Sequence, residues 1–501
     1  MGLLFHGDMN MAVFSAEAKG FEKNVLEHLQ RTGVFVSAPC GGRGACGKCL
    51  IRFLSPPPPP TPVETEKVEE ALLAAGWRLA CQTKPSGAFS IEYSRAEEDI
   101  CAETHFFGTV PTRIDEPYTA KTADKKVAID IGTTTIAASL VDAASGVVLD
   151  TKTRINHQRS FGADVISRIQ ASNEGAGEAL RQAVTEDIAH LVRQLGEDAK
   201  RTPIIISGNT TMEHLLQGLD CRGLGVAPYT PVDISLHTMD NYLIMPGIST
   251  YVGADIVSGI CACGMDQSDG VCMLIDLGTN GEMAIGNRNR LVVASTAAGP
   301  AFEGGNISCG VAGIPGAISG VMIQGGKAQC HTIMDQTPIG LCGTGVLETV
   351  YELLQAEIMD ETGCLIDAFE NGFPLHGDIV FTQADIRKVQ LAKAAIRAGV
   401  ETLIEAFHIC HDEIEHVYLA GGFGQKIDLK KAAGIGLLPP ALIGKTQAVG
   451  NSSLAGAVLL AMEPSFSARL ISAADRAQEL SLAGNPKFTE CFVDQMTFDS
   501  E

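Results

Sequence analysis

The sequence lacks any uninterrupted apolar stretch of the roughly 18 residues that a membrane-spanning helix requires. The first segment, residues 1–14, contains Asp8 and no basic cluster ahead of an apolar run, which argues against a secretory signal peptide. Both absences predict a protein that works in the cytoplasm, without a membrane.

Basic residues are also scarce. Lys and Arg together number 37 against 59 Asp and Glu, which gives a net charge of −22. A protein that neutralises the phosphates of DNA or RNA carries an excess of positive charge. The charge balance therefore argues against a nucleic-acid partner.

Cysteine, in contrast, is plentiful. The chain of 501 residues has 15 cysteines, an odd number that suits a disulfide framework poorly and predicts that some of the thiols bind metal. With 45% hydrophobic and 19% charged residues, wholesale disorder is excluded, and the length is enough for two to four domains with cores of their own.

The first 95 residues predict a small α+β unit. Alternating apolar segments at 3–5 and 11–14 indicate strands, 24–30 indicates an amphipathic helix, and 64–75 has a second helical pattern. The proline run 56–60 cannot be helix or central strand and predicts an extended spacer within the unit. Residues 96–125, charged and weakly periodic, are predicted to be a linker.

A glycine-rich loop in this unit carries three cysteines. The spacing is C-x5-C-x2-C over Cys40, Cys46 and Cys49, and Cys81 supplies a distant fourth thiol. Intervening glycines allow positive φ and let backbone amides point at the sulfurs. Four thiols match the ligand count of a [2Fe-2S] cluster. Structural zinc also takes four thiolates, but usually from two C-x2-C pairs, so we favour the iron-sulfur cluster and expect the other eleven cysteines to pack as small apolar residues.

From residue 126 onward, strand-like apolar runs alternate with helical patterns, which is typical of α/β architecture. Two of these runs end in the same turn, Asp-x-Gly-Thr, at Asp130 and Asp276. Such a turn offers backbone N–H groups and hydroxyls to phosphates, while its carboxylate can hold Mg²⁺ through water. A third run ends in a glycine loop without an acid, at Gly421, Gly422 and Gly424.

These three loops together resemble the ASKHA superfamily of ATPases. The resemblance implies two lobes, each built on a five-stranded mixed sheet, that clamp MgATP in a cleft. Asp130 to Thr135 matches the first phosphate segment and Asp276 to Gly281 the second, and the glycine loop matches the adenosine segment. The resemblance implies that residues of these segments bind the phosphates or the nucleoside, namely Gly132, Thr133, Thr134, Thr135, Gly278, Thr279, Asn280, Gly421, Gly422 and Gly424. Asp255 lies where chaperone relatives position Mg²⁺ and the attacking water; a helix cap is the alternative role for that acid.

A ferredoxin-like unit fused ahead of an ASKHA ATPase resembles the reductive activators of corrinoid proteins along essentially the whole chain. The resemblance implies an α+β ferredoxin-like (β-grasp) domain at 1–95, a linker at 96–125 and a two-lobed α/β actin-like ATPase domain at 126–501, with lobes of about 126–272 and 273–501. Further matching segments include Asn156 to Gln158 and Gly162 to Arg168. Gly299, Pro300 and Gly343 resemble nucleotide-cleft loops, and the Asn-containing segments 208–211 and 450–453 resemble hinge connections between lobes.

The family implies ATP-dependent reduction of inactive Co(II) corrinoid protein to Co(I), with one electron from a [2Fe-2S] cluster held by Cys40, Cys46, Cys49 and Cys81. Asp130, Asp255 and Asp276 are the expected catalytic residues, with ATP and Mg²⁺ as the other cofactors. The partners implied are a corrinoid protein and an upstream low-potential electron donor. Analogy with the family also allows a homodimer. The linker would let the small domain swing between donor and corrinoid partner.

Three other functions are open from the sequence. An ASKHA small-molecule kinase with an accessory redox domain would transfer phosphate to a substrate, although no acceptor site can be identified. A chaperone-like remodeller of a metalloprotein would use its cluster only structurally. An activator of 2-hydroxyacyl-CoA dehydratases would carry a [4Fe-4S] cluster between subunits and no ferredoxin unit, which the cysteine spacing disfavours.

Overall fold

In the computed structural model, residues 11–17, 23–84, 87–94, 124–422 and 427–498 are described. The predicted strand at 3–5 and nearly all of the predicted linker lie outside these residues. Among the described helices, none has the length and apolar character needed to cross a membrane.

The N-terminal unit is a four-stranded antiparallel sheet with strand order β1-β4-β2-β3. Its helix α1 packs Val25, Leu26 and Leu29 against the sheet. The elements in chain order are β1 (Met11–Glu17), α1 (Val25–Arg31), β2 (Leu50–Phe53), α2 (Pro62–Lys67), α3 (Glu70–Ala74), β3 (Trp77–Leu79) and β4 (Ala88–Ser94).

The predicted helix over 64–75 is wrong in one respect, because it is two short helices. Val68 has extended backbone, with φ −118° and ψ 135°, and ends α2. The start of α2 is fixed by Thr61, which forms a capping box with Glu64. Glu64 is buried and its carboxylate also accepts hydrogen bonds from the Leu79 N–H (2.7 Å) and the Thr83 hydroxyl (3.2 Å). This contact fixes the chain on both sides of Cys81.

A second sheet, called the first-lobe sheet here, has the order β7-β6-β5-β8-β10-β9. It comprises β5 (Lys125–Ile131), β6 (Thr135–Asp142), β7 (Val147–Ile155), β8 (Ile204–Gly208), β9 (His237–Met239) and β10 (Tyr242–Ile244). The helices of this region are α4 (Val165–Ala171), α5 (Gly177–Gln194), α6 (Thr210–Gln217), α7 (Arg222–Gly225) and α8 (Ala254–Ala262), with 3₁₀ turns at His157–Ser160 and Met265–Gln267 and a π turn at Ser172–Ala176.

The second-lobe sheet has the order β20-β19-β11-β12-β13-β21. Its strands are β11 (Val271–Leu277), β12 (Gly281–Gly286), β13 (Leu291–Thr296), β19 (Ile414–Ala420), β20 (Thr446–Gly450) and β21 (Ala477–Glu479). Smaller sheets join β14 (Ala317–Gln324), β15 (Lys327–Thr332) and β16 (Gly340–Leu341), and β17 (Phe373–His376) and β18 (Ile379–Phe381). The helices are α9 (Gly343–Gln355), α10 (Gln383–Phe407), α11 (Leu429–Gly434), α12 (Ser452–Met462), α13 (Phe466–Arg476) and α14 (Pro486–Asp494).

Each large sheet therefore has six described strands, one more than the resemblance implied. In both sheets the extra strand is a three-residue edge strand, β9 or β21, added to a five-stranded core.

Two helices, α8 and α12, form a layer between the large sheets. One apolar cluster contains Ile205 from the first-lobe sheet, Leu274 from the second-lobe sheet, and Val257 and Val458 from the two helices. Glycines make the close helix contact possible, since a Cβ at Gly456 would lie 2.5 Å from the Ser258 Cβ. The two sheets are thus joined at one end, and their strand ends β5 and β11 open onto a common cleft.

Candidate functional site

The four cysteines of the N-terminal unit form two pairs of thiols. Cys40 and Cys46 lie on the loop between α1 and β2, and their Sγ atoms are 3.3 Å apart. Cys49 precedes β2, and its thiol is hydrogen-bonded to that of Cys81, which follows β3. Both pairs are at the same end of the small sheet.

Hydrogen bonds stabilise negative charge on one sulfur of each pair, Cys40 and Cys81, whereas burial raises the pKa of Cys46 and the hydrogen bond with Cys81 raises the pKa of Cys49. Burial alone would raise the pKa of Cys40, but hydrogen bonds from Cys46 and from the N–H groups of Ala45 and Arg43 outweigh it and leave that pKa below its usual value. The hydrogen bond from Cys49 lowers the pKa of Cys81 to about 6, with further help from Gln82 and the Gly44 backbone. The loop glycines Gly41, Gly42, Gly44 and Gly47 all have positive φ, as predicted.

This donor set fits a two-iron cluster. A [2Fe-2S] cluster with four cysteine ligands takes two thiolates at each iron, and the described thiols come as two pairs. A single zinc ion instead needs four ligands around one point. The geometry therefore favours the cluster over structural zinc.

The second site is a cavity of about 330 Å³ between the two large sheets. The two Asp-x-Gly-Thr turns face each other across it, because β5 and β11 are central strands that end at the same cleft. The Thr134 and Thr279 hydroxyl oxygens, one from each turn, are 3.4 Å apart. The loop after β19 contributes Gly421 and Gly422, as expected for the third segment.

The carboxylate of Asp130 is held by the start of α12. Asn451 donates from Nδ2 to Oδ2 of Asp130 at 2.8 Å, and Ser453 donates its hydroxyl to Oδ1 at 2.7 Å. Asn451 is also the N-cap of α12 and accepts from the Leu454 N–H. The first phosphate turn is thereby fixed by a helix that belongs to the far end of the chain.

Several acids share the cavity and raise each other's pKa. Burial, followed by the charge of Asp130, raises the pKa of Asp255 to about 7. Burial and the charges of Asp255 and Asp130 raise the pKa of Asp276 to about 8. Burial and the charges of Asp255 and Asp276 also raise the pKa of Glu282, one strand further on. Buried acids of one sign are compensated by bound cations or protons, so this donor set suits a hard divalent ion such as Mg²⁺.

Glu303 connects the two turns directly. Its Oε2 accepts the hydroxyl of Thr279 at 2.7 Å and that of Thr134 at 3.2 Å. It ends a 3₁₀ helix, Pro300–Glu303, in the second lobe. A phosphate in this cavity would compete with Glu303 for the same two hydroxyls.

The structure brings most of the predicted site residues together. The cavity is lined by Asp130, Gly132, Thr133, Thr134, Thr135, Asp255, Asp276, Gly278, Thr279, Asn280, Gly343, Gly421 and Gly422. Gly299 and Pro300 do not line it; they start the 3₁₀ turn whose later residues, Phe302 and Glu303, do. Gly424 lies outside the described residues.

Other lining residues were missed or given a different role. Glu282 and Glu303 were not singled out, although Glu282 directly follows the second phosphate segment and Glu303 lies three residues after Pro300. Asn209 and Asn451 were placed in hinge connections, but both line the cavity. Asn209 donates to the Thr133 hydroxyl at 3.1 Å. The repeated Gly-Asn-Thr-Thr and Gly-Asn-Ser-Ser pattern was the signal that could have found them.

Family models match nearly the whole chain. Residues 15–86 match the 2Fe-2S iron-sulfur cluster binding domain, 126–268 match the RACo middle region, and 270–501 match the C-terminal domain of RACo, the ASKHA domain. These matches confirm the predicted fold class of a ferredoxin-like domain followed by an ASKHA domain.

Known proteins resemble the chain over much of their length. The "Corrinoid activation enzyme RamQ" of Eubacterium limosum is 34% identical over 73% of this chain and 69% of its own. A Methanosarcina barkeri "[Co(II) methylated amine-specific corrinoid protein] reductase" is 24% identical over 74% and 76%. The solved structure of a "Reductive activator for corrinoid,iron-sulfur protein" covers 97% of this chain and 98% of its own at 30% identity, with a TM-score of 0.68.

Proposed function

Because the chain belongs to the RACo family, we propose that it is an ATP-dependent iron-sulfur reductase that activates a corrinoid protein by reducing its Co(II) form to Co(I). The observation that carries this function is the presence, in one chain, of two adjacent thiol pairs in the small domain and of a cleft with two facing Asp-x-Gly-Thr turns. The relative with a solved structure matches both parts, since the match covers almost the full length of both chains.

Cys40, Cys46, Cys49 and Cys81 are the proposed cluster ligands. A bound [2Fe-2S] cluster supplies one electron at a time. The protein supplies two pairs of thiolates and the backbone N–H groups around Cys40, which stabilise negative charge at the sulfurs. The half-buried positions of Cys40 and Cys46 place this side of the loop nearest to solvent and to an electron partner.

The cleft residues are proposed to bind MgATP. Thr133, Thr134 and Thr279 offer hydroxyls and backbone N–H groups to the phosphates, and Gly421 and Gly422 leave room for the nucleoside. Asp130 and Asp276 would hold Mg²⁺, with Asp130 kept in place by Asn451 and Ser453. The pKa of Asp255, about 7, lets this carboxylate accept a proton near neutral pH, which suits a residue that positions the attacking water.

The proposed reaction also needs an electron donor and a reducing compartment. A low-potential donor must re-reduce the protein after each electron, because the cluster holds one electron and the chain has no other redox group assigned to it. Each of the fourteen described cysteines is a free thiol, in agreement with a reducing cytoplasm. By analogy with the family, the proposal includes assembly of the chain into a homodimer.

The decisive experiment mixes the anaerobically reduced protein with a Co(II) corrinoid protein. The Co(I) absorption band should appear with MgATP and fail to appear without it, with free phosphate as the product. A phosphorylated small molecule in place of free phosphate would indicate a kinase instead. Co(I) formation at the same rate without nucleotide would contradict the proposed use of ATP.

A further inference from the structure

The cluster loop is docked on the first lobe of the ATPase domain. The Ala163 N–H donates to the Pro39 carbonyl at 3.0 Å, one residue before the ligand Cys40. Gln30 of α1 donates from Nε2 to the Ser160 carbonyl at 2.6 Å, and Arg43 reaches the Ser167 hydroxyl at 3.4 Å. The first-lobe residues in these contacts all belong to the segment 156–168, which we call the bridge.

Apolar packing supports the same contact. Phe35, from the small domain, packs against the apolar core of the first lobe, and its ring centroid lies 4.9 Å from that of His157. His157 is itself fixed by the buried carboxylate of Asp187. That carboxylate accepts hydrogen bonds from Nδ1 of His157 (2.6 Å) and from its backbone N–H (2.9 Å). The docking face is thus a rigid part of the first lobe.

The other side of the bridge holds the first phosphate turn. Asn156 donates from Nδ2 to the Gly132 carbonyl at 2.9 Å, and its N–H donates to the Thr134 carbonyl at 2.9 Å. Arg168, which is fully buried, donates from Nη2 to the Thr133 carbonyl at 2.5 Å and from Nε to the Gly162 carbonyl at 3.0 Å.

A continuous chain of three hydrogen bonds therefore joins the two sites. It runs from the Thr133 carbonyl through the guanidinium of Arg168 to the Gly162 carbonyl, and from the next residue, Ala163, to the Pro39 carbonyl beside Cys40. The bridge is tightly packed at Gly162, because a Cβ there would lie 2.3 Å from the Ser167 Cβ. Because one guanidinium contacts both carbonyls, movement of either carbonyl changes a hydrogen bond of Arg168.

We propose that Arg168 is a positioning residue that couples the phosphate turn to the docked cluster loop, so that nucleotide in the cleft strengthens docking of the cluster domain on the first lobe. The proposal rests on the proposed function for the identity of the two ligands. Coupling of this kind is reciprocal, since each binding event must change the free energy of the other by the same amount. Loss of docking must therefore weaken nucleotide binding at a distance.

The matched test uses two glycines of the cluster loop with similar backbone. In Gly41→Ala (φ +62°) the new Cβ would lie 2.9 Å from the Phe161 carbonyl oxygen of the bridge, whereas in Gly47→Ala (φ +68°) the nearest atom is 3.7 Å away in the small domain. Both variants carry similar backbone strain, but only the first disturbs docking. With the cluster assembled in the full chain, we expect the Kd of a non-hydrolysable MgATP analogue to rise about fivefold or more in Gly41→Ala alone.

A second variant covers the case in which Gly41→Ala fails to assemble its cluster. Gln30→Ala lies outside the thiol loop and the ATP cleft and removes only the contact with Ser160. It should raise the Kd of the analogue in the wild-type background and have no effect in an Arg168→Met background, because the link is already broken there. A Gln30→Ala effect of equal size in both backgrounds would overturn the role of Arg168.

Amide hydrogen exchange gives a direct measure of docking. In the wild type the analogue should slow exchange of the Ala163 N–H, which donates to the Pro39 carbonyl, and of the amides of residues 40–43; in Arg168→Met it should not. Unchanged exchange in the wild type, or wild-type nucleotide affinity in both Gly41→Ala and Gln30→Ala, would overturn the proposal. No corrinoid protein is present in these measurements, so failure of the proposed reduction and failure of the coupling are distinguished.

Discussion

Cys46 belongs to the thiol pair that the loop backbone places at the surface of the small domain. Its Sγ lies 3.3 Å from that of Cys40, and replacement by serine removes a thiolate ligand from the proposed cluster. We expect Cys46→Ser to lose the cluster absorption and all MgATP-dependent Co(I) formation while it still binds ATP, because the cleft is untouched. Visible spectroscopy and the corrinoid assay measure both effects.

The control for this prediction is Cys364→Ser, at an exposed cysteine away from both sites. It should keep the cluster and the activity. If Cys46→Ser activated the corrinoid protein as well as this control did, the cluster would have only a structural role, as in a remodelling chaperone.

The acids of the cleft predict how the stability of the nucleotide-free protein changes with pH. The folded pKa values of Asp255 and Asp276 are about 7 and about 8, whereas an unfolded Asp titrates near about 3.9. Between about pH 4 and 8 the folded chain therefore binds more protons than the unfolded chain, and the free energy of unfolding falls as the pH rises.

Calorimetry in EDTA measures this effect. The Tm should fall between pH 5.5 and 8.5, and Asp276→Asn should make the fall smaller, since that acid no longer has to ionise in the cleft. An identical slope in wild type and variant would contradict the assignment. Addition of Mg²⁺ with nucleotide should reduce the slope in the wild type, because a bound cation stabilises the ionised acids.

Sequence patterns identified the residues whose neighbours along the chain define their surroundings. Asp130 and Asp276 were found because each follows a buried strand and precedes a Gly-Thr turn. Glu303 and Asn451 were not assigned to the cleft, because their partners Thr134 and Asp130 are 169 and 321 residues away. The repeated Gly-Asn segments could have marked Asn451 as a site residue, but no local pattern encodes which distant residue it contacts. Only the meeting of the two lobes creates these pairings.

At the scale of elements, α8 and α12 set the distance between the sheets. A Cβ at Gly456 of α12 would lie 2.5 Å from the Ser258 Cβ and 2.7 Å from its Cα. We expect Gly456→Ala to reduce the free energy of unfolding by about 1–3 kcal/mol, as overpacked cores do, and to weaken ATP binding, since the start of α12 holds Asp130. Denaturant titration and nucleotide binding measure the two effects.

Gly444→Ala is the matched control, because a Cβ there has no atom within 4 Å. It should unfold as the wild type does. Equal stability of the two variants would show that the helices can separate without cost.

The strands were more predictable than the helix contacts. The apolar runs at 127–131, 204–207, 273–277 and 416–420 lie within β5, β8, β11 and β19, and each of these strands is one or two residues longer than its run. The break at Val68 was not predicted, because the helical spacing of apolar residues continues through it. The packing of α12 against the first-lobe sheet was not predicted either, since a helix near the C-terminus gives no sign in its own sequence that the chain crosses back.

At the scale of the whole molecule, the docked cluster domain changes how the surface charges are interpreted. Arg43 lies on the cluster loop, where a basic side chain would stabilise an anionic cluster and attract an acidic partner. In the structure it donates to the Cys40 carbonyl at 2.9 Å and contacts Ser167 of the first lobe. Part of the loop therefore faces the ATPase domain, so that either the docked domain is released once ATP has been hydrolysed, or a partner approaches the half-buried thiols of the docked loop.

A change in linker stiffness tests whether that release is needed. Replacement of residues 100–118 by a helical EAAAK-type spacer should slow Co(I) formation without changing ATP affinity, because a stiff spacer restricts the swing of the small domain while the cleft is unaltered. A Gly/Ser spacer of equal length is the control and should keep turnover near that of the wild type. Hydrogen exchange at the Ala163 N–H and at the amides of residues 40–43 verifies that the domain remains docked in both variants. If turnover with the stiff spacer equals that of the control, electron delivery occurs from the docked position. The hypothesis that the small domain swings between its partners is then wrong.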